Sequence, residues 1–536
     1  MQDIQQILDS LPVSYRGPGG AIAVLKDGRL AGQQVWGFAD LEKRIAMTDQ
    51  TLVPICSITK QMVCAVLKDL ERHPTALMAN GASLAQAYSA ALKDLLPAEI
   101  GPGSEVTLQH LCDNQTGIRD YWAMTLLWGG HPEGRFSLDE DAPQALQHLQ
   151  SLHFEPGSQY AYANTNFHIL ARAIEQVSGR SISELLTERV FEPAGMATAQ
   201  FCEKTDQHVG PCVGYEGSAE QGYIPARNQV EWSGDAGVVA SLQDMIAYES
   251  WLQRQWDDPA SIYRTLAEQP HFADGALAHY GNGLAHVEIA GFKAIGHSGA
   301  LRGFRLQRLH VPSDKLSVIV MLNHEADPAA AAEFVLRNAL DLREPVASSV
   351  EADPAWFGDY LDPVSQLAIR IAPAGTGEIS LSYAGYPETL HLVVAGRARS
   401  REMEAAISGD DLWLRRIEDN REIRAIRLHT SNAPTPTASL QGNFHCVELG
   451  STFHAFGLGN HCYAAFDGFL GKGPAVQLQQ LAPEVWLLKC PRGMDAPAPG
   501  DWTLVVDRDA AGRTTGFTLG CWLARGLKYQ RIDADH

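Results

Sequence analysis

Helical spacing of apolar residues stops at Leu342 and does not return, which limits the chain to an architecture of unlike parts. Before that point, strand-like and helix-like segments alternate. The apolar run Ala21 to Leu25 meets a turn at Lys26-Asp27-Gly28 and continues into Arg29 to Phe38, the pattern of a hairpin around Asp-Gly. Strand signals return at Lys293 to His297, Gly303 to Val311 and Leu316 to Asn323. Asp327-Pro328 then opens a helix running through Phe334 and Leu340, with a capping aspartate ahead of a proline. Strands at both ends with helices between them predict an α/β domain over 1–342 whose terminal strands share one antiparallel sheet.

Arg343-Glu344-Pro345-Val346-Ala347-Ser348-Ser349 reads as a linker, and short strands and turns follow it. Phe357-Gly358-Asp359-Tyr360 opens one such region. Gln441-Gly442-Asn443-Phe444 opens another, after the linker-like Ser431-Asn432-Ala433-Pro434-Thr435-Pro436. This is a faint repeat: a glycine, a small polar residue, an aromatic, then strands. It predicts two all-β domains, 343–436 and 437–536, each of roughly one hundred residues. Closed antiparallel barrels are expected, because closure removes exposed strand edges; one elongated sandwich is the competing arrangement.

Three short patterns carry chemistry. In Ser57-Ile58-Thr59-Lys60, the following Met62, Val63, Val66, Leu67 and Leu70 recur with helical period. Ser57 is therefore expected at a helix start, with Lys60 one turn on and on the same face. A serine hydroxyl needs a neighbouring base to become a nucleophile. Lysine serves when burial or nearby positive charge lowers its pKa. In isolation the same four residues describe an N-capping serine and a surface lysine. The second pattern is Phe154-Glu155-Pro156-Gly157-Ser158-Gln159-Tyr160-Ala161-Tyr162-Ala163-Asn164. It places Tyr162 on a loop before a helix that begins after Asn164, with its hydroxyl free to face a cleft or packed as a turn aromatic. The third, Gly296-His297-Ser298-Gly299-Ala300, ends a strand. Small residues such as Gly299 let a substrate backbone approach the strand edge. His297 is either a donor to a substrate oxygen or a half-buried strand histidine.

Taken in order, S-x-x-K, Y-x-N and H-x-G resemble the serine penicillin-recognising family. This family includes class C β-lactamases, D,D-carboxypeptidases, related esterases and D-aminopeptidases. His110-Leu111-Cys112-Asp113-Asn114-Gln115-Thr116-Gly117-Ile118 resembles its threonine-glycine loop, with an altered beginning. Asp235-Ala236-Gly237-Val238-Val239-Ala240-Ser241 resembles its glycine-rich strand segment. The resemblance covers residues 10 to 340 and implies a serine β-lactamase-like fold. It implies that Ser57 attacks the acyl carbon and that Lys60 and Tyr162 move protons. It further implies that the N–H groups of Ser57 and Ala300 form an oxyanion hole. By the same resemblance Asn164 is expected to orient Lys60 and bind the substrate amide, and His297 stands where the family often has lysine. No cofactor and no metal are expected; the nineteen histidines lack H-E-x-x-H spacing.

A catalytic domain followed by two β domains resembles the D-aminopeptidases within that family. The resemblance implies that loop 491–501 of the last domain reaches the active site, and that Asp495 binds the substrate's free ammonium. The loop lies in Pro491-Arg492-Gly493-Met494-Asp495-Ala496-Pro497-Ala498-Pro499-Gly500-Asp501-Trp502, where three prolines stiffen it. Arg492 and Asp501 are candidates to pair with each other. The expected substrates are small D-amino-terminal peptides or amides, such as those of D-alanine, and the expected assembly is a homodimer. The alternatives are another serine hydrolase of the family (D,D-carboxypeptidase, β-lactamase or esterase) and a non-enzymatic binding protein.

The net charge of −21 repels phosphates and anionic lipids, so neither nucleic acid nor membrane is expected as a partner. The nine cysteines contain no C-x-x-C pair and are expected as free thiols. Free thiols point to a reducing compartment, so the cytoplasm is expected; the opening Met1-Gln2-Asp3-Ile4-Gln5-Gln6 lacks the basic start and apolar stretch of a secretory leader.

Overall fold

A computed structural model describes residues 3–79, 83–100, 105–342, 349–429, 440–459, 461–490, 492–495 and 499–532. Except for Ser349, the expected linkers at 343–349 and 431–436 lie outside the described residues.

The apolar run near the N-terminus forms the strand Gly19–Lys26, and its side chains divide with period two. Ile22 and Val24 pack with Val318, Val320, Val335 and Leu336. Ala21, Ala23 and Leu25 join a second cluster with Met62, Val66 and Leu70. Both faces are covered, so the run is continuously apolar. The turn after it is left-handed at both Asp27 (φ 52°) and Gly28 (φ 72°), as a tight Asp-Gly hairpin requires. Ala21 lies opposite Val35 on one side and Met321 on the other. The N-terminal strand is therefore seated beside Leu316–Leu322 within one eight-stranded antiparallel sheet. From one edge the order is Tyr280–Gly281, Leu284–Ile289, Phe292–Leu301, Phe304–Val311, Leu316–Leu322, Gly19–Lys26, Arg29–Asp40 and Ile45–Ala46. The helix Pro328–Ala339 packs on one face. It is capped by the Asp327 carboxylate, which accepts from the N–H groups of Ala329 (2.9 Å) and Ala330 (3.1 Å). The helices Thr59–Arg72, Asn164–Ser178 and Leu242–Gln255 contribute to the cluster on the other face.

Both β domains are closed eight-stranded antiparallel barrels, so the sandwich arrangement is excluded. The first closes between Gly358–Leu361 and Arg421–Arg427. The second closes between Gly442–Cys446 and Ala524–Ile532, with the two-residue strand Gly471–Lys472 added outside the ring. The faint repeat has a physical basis. Tyr360 lies opposite Arg427, whose guanidinium is 4.6 Å from the ring centroid. Phe444 lies opposite Arg531, at 4.5 Å. A Cβ at Gly358 or Gly442 would meet these guanidiniums at 2.8 or 2.3 Å. Glycine therefore lets an arginine of the last strand lie over an aromatic of the first, a cation–π closure used in both barrels.

The first barrel has its own core, around Trp356, Tyr360, Ile369, Leu381 and Leu414. The second shares a core with the catalytic domain: Phe453, Phe466, Trp486 and Met494 join Leu127 and Trp128. Backbone meets backbone at that boundary. A Cβ on Gly129 (φ 81°) would fall 2.0 Å from the Gly471 carbonyl oxygen. Among the described residues no helix is long and apolar enough to cross a membrane.

Candidate active site

Cys56 has φ 53°, a left-handed backbone that residues with a β-carbon rarely adopt. A 3₁₀ turn, Cys56–Ile58, follows before the α-helix Thr59–Arg72 begins. Ser57 thus lies in a tight turn ahead of the helix rather than at its first residue. Its side chain is partly exposed, between buried Cys56 and Ile58. The Cys56 thiol donates to the Pro54 carbonyl at 3.3 Å, and burial pushes its pKa up. A buried thiol of this kind is unreactive.

Lys60 is completely buried. Its Nζ lies 2.9 Å from Ser57 Oγ, 2.8 Å from Asn164 Oδ1 and 2.7 Å from the Asp235 carbonyl oxygen. Burial lowers its pKa from 10.5 to about 8, against the opposing pull of Asp235, Asp120 and Asp495. The Tyr162 ring centroid is 4.9 Å from the same nitrogen. Burial pushes the Tyr162 phenol well above 10, and a hydrogen bond with the Ser57 side chain acts in the other direction.

The loop carrying Tyr162 is held from below. Asn164 is the first residue of its helix, and its N–H donates to Asp120 Oδ1 at 2.6 Å. Thr116 Oγ1 donates to Asn166 Oδ1 (2.8 Å), and Asn166 Nδ2 donates to Asn114 Oδ1 (2.8 Å). The Asp235 carboxylate accepts from Tyr121 Oη (3.0 Å), Trp122 Nε1 (3.1 Å) and the Ser233 N–H (3.0 Å). Those bonds fix the carbonyl that faces Lys60. Sequence reasoning assigned no role to Asp120 or Asp235. Asp120 caps the short helix Tyr121–Met124, and that capping position was the available signal. Nothing local in the sequence marks Asp235 as the acceptor for Lys60.

On the strand Phe292–Leu301, the expectation for His297 needs correction and Gly299 gains a packing role. His297 is buried, and both ring nitrogens are taken: Nδ1 donates to the Ser298 carbonyl, so Nε2 accepts from Tyr280 Oη at 2.9 Å. Burial and Lys60 lower its pKa to about 3. It is a neutral, internally bonded histidine and not a free donor to a substrate oxygen. At Gly299, a Cβ would fall 2.4 Å from the Ile55 carbonyl oxygen. The missing side chain admits the nucleophile's turn, and the neighbouring strand Leu284–Ile289 pairs only as far as Gly296, which leaves the edge beyond it open to a substrate backbone. Ala300 follows on this strand, which brings its backbone alongside the Ser57 turn.

The second barrel reaches this place. The Arg302 N–H donates to the Asp495 carbonyl at 2.9 Å, which seats the segment Arg492–Asp495 just beyond Ala300. Asp495 acts electrostatically on both Lys60 and Tyr162. Met494 is buried against Gly130 and Gly134. Arg492 does not pair with Asp501. It donates to Glu216 of the catalytic domain at 3.0 and 2.7 Å and to Glu133 at 3.3 Å. Asp501 pairs with Lys489. At the far end of the loop, a Cβ on Gly500 would fall 2.3 Å from the Ala384 carbonyl oxygen of the first barrel, so the two backbones lie in close contact there. Pro491, Ala496, Pro497 and Ala498 lie outside the described residues.

Residues 4–341 match the model of the β-lactamase family, and residues 349–530 match that of D-aminopeptidase domain B. The D-aminopeptidase of Brucella anthropi is 42% identical over 531 residues, covering 99% of this chain and 98% of that protein. The chain belongs to the D-aminopeptidase family. Within this serine hydrolase superfamily it is also similar in fold to more distant solved structures. The octameric penicillin-binding protein homologue from Pyrococcus abyssi superposes with a TM-score of 0.52 at 20% identity, over 79% of this chain and 99% of that one. The penicillin-binding protein from Bacillus halodurans gives 0.50 at 22% identity, over 63% and 99%.

Proposed function

We propose that the chain removes an N-terminal D-amino acid from short peptides and amides through an acyl-enzyme on Ser57. One observation carries the aminopeptidase reading: a carboxylate from a different domain, Asp495, lies within electrostatic reach of Lys60 and Tyr162 on a segment whose backbone is bonded to Arg302. A free ammonium at the substrate's N-terminus is the natural partner of that carboxylate. The preference for the D-configuration comes from the family's name.

Neutral Lys60 takes the proton of Ser57 Oγ as that oxygen bonds to the acyl carbon. At a pKa of about 8, the amine is a far better proton acceptor near neutral pH than a phenol whose pKa lies well above 10. The N–H groups of Ser57 and Ala300 stabilise the oxyanion, each donor being worth about 3–4 kcal/mol of barrier. Protonated Lys60, through the Tyr162 phenol, returns the proton to the leaving amine as the C–N bond breaks. Water then attacks the ester by the reverse route and releases the amino acid. Asn164 holds the Lys60 amine and offers its amide to the substrate. Neutral His297 supplies no positive charge for a substrate carboxylate, which speaks against a D,D-carboxypeptidase or β-lactamase.

A matched panel of D- and L-alanine amides, free and N-acetylated, tests the reading. Hydrolysis of the free D-amide alone is expected; equal rates on the N-acetylated D-amide would overturn it. The nine free thiols support a reducing compartment, the cytoplasm, as the place of action. A homodimer remains the assembly proposed from the family, and sedimentation velocity tests it.

A further inference from the structure

The three domains meet around a second cavity, of about 320 Å³, whose lining includes none of Ser57, Lys60, Tyr162 or Asn164. The catalytic domain contributes Arg119, His153 and Gln159, the first barrel Arg421, and the second Arg525. Val364 at its edge is 87% exposed, so the cavity opens to solvent. Its positive charge is only partly met. Arg119 pairs with Glu448 at 2.9 Å, and Arg421 pairs with Asp362. Arg525 is buried, and among the described residues its hydrogen bonds go to neutral acceptors: Gln159 Oε1 (3.0 Å) and the Trp522 carbonyl (3.3 Å). Asp419, the nearby carboxylate, is engaged by Arg416. Arg525 Nη2 and both ring nitrogens of His153 are buried without a partner. Burial and the three arginines keep His153 neutral. Buried donors without acceptors are rare in native proteins and call for an occupant.

We propose that this junction binds a small multivalent oxyanion of the phosphate or tricarboxylate class, gripped by Arg525 and His153 with Arg119 and Arg421 behind them. A guanidinium presents a planar fork of donors that matches such oxygens. The cavity falls at the lower end of the range for small-molecule sites. The molecule as a whole carries a charge of −21, so its general field opposes anion binding and the local cluster must supply the affinity. Arg525 already bonds Gln159, three residues ahead of Tyr162. An anion here would tie the Tyr162 loop to both barrels and raise stability by mass action.

Calorimetric titration of the full chain with phosphate and, separately, citrate, at ionic strength fixed by chloride, tests the site. One saturable event per chain and a higher melting temperature are expected with at least one of them, and the tighter arm names the class. Arg525→Gln should weaken binding about tenfold or more. If that variant does not fold, His153→Leu, which removes a ring with no hydrogen bonds to lose, should weaken it measurably. A crystal structure of the complex should place the anion between Arg525 and His153. No saturable binding of either anion, unchanged affinity in the folded variants, or an anion found only beside Ser57 would overturn the proposal.

Discussion

The wall of the cleft that carries Ser57, Lys60, Tyr162 and Asn164 belongs to one domain and is hydrogen-bonded throughout. The facing wall is the segment Arg492–Asp495, lent by the second barrel and held by partly exposed ion pairs to Glu216 and Glu133. Proton transfer needs fixed geometry in a dry setting, whereas recognition of an ammonium needs one carboxylate in reach. The difference predicts that chemistry and selectivity separate on mutation.

The largest effect is expected at Ser57. Ser57→Ala should lower kcat by at least about 10⁴-fold with an unchanged circular dichroism spectrum, since no covalent route remains. Product D-alanine should still bind, because the facing wall is intact; lost binding would show that the walls are not independent. Lys60→Met should cost about 10²–10⁴-fold in kcat. In the wild type, Lys60 must be neutral to act. With its pKa at about 8, the rising limb of kcat/KM should climb about tenfold per pH unit below that value.

Asp495→Asn should act mainly on KM, raising it about 30-fold or more for free amides and much less for N-acetylated ones. The substrate α-ammonium titrates near 7.7–8.0, so its pairing with Asp495 should bend the wild-type profile downward at higher pH. The variant should lose that falling limb. Its rising limb should move to lower pH, because Asp495 raises the Lys60 pKa. A profile identical to wild type would remove Asp495 from recognition. The smallest effect is expected for Glu216→Gln. Loosening a partly exposed pair is worth up to about 1 kcal/mol, so KM should rise no more than about fivefold with kcat unchanged.

Much of the first wall was legible because its residues are close in sequence or carry local periodicity. Ser57 and Lys60 are three apart, and the apolar spacing after them fixes the helix. The Asp27-Gly28 turn and the Asp327-Pro328 cap were legible for the same reason: local chemistry determines local backbone. His297 and Gly299 read differently in three dimensions because their surroundings come from afar. Tyr280 takes the imidazole and Ile55 fills the space beside the glycine, and no spacing rule reports either contact. The partner of Arg492 was misread for the same reason, since Glu216 is 276 residues away. Asp235 acts on Lys60 through its carbonyl, an atom every residue has, so no residue type in the sequence marks it.

The arginine laid over an aromatic where each barrel's first and last strands meet is a lock that uses none of the cleft-facing loops. Evolution or design can therefore rewrite the tip that confronts the cleft and leave the fastening at the seam alone. The first barrel, fastened the same way, is a second frame whose loops can be rewritten without touching its seam.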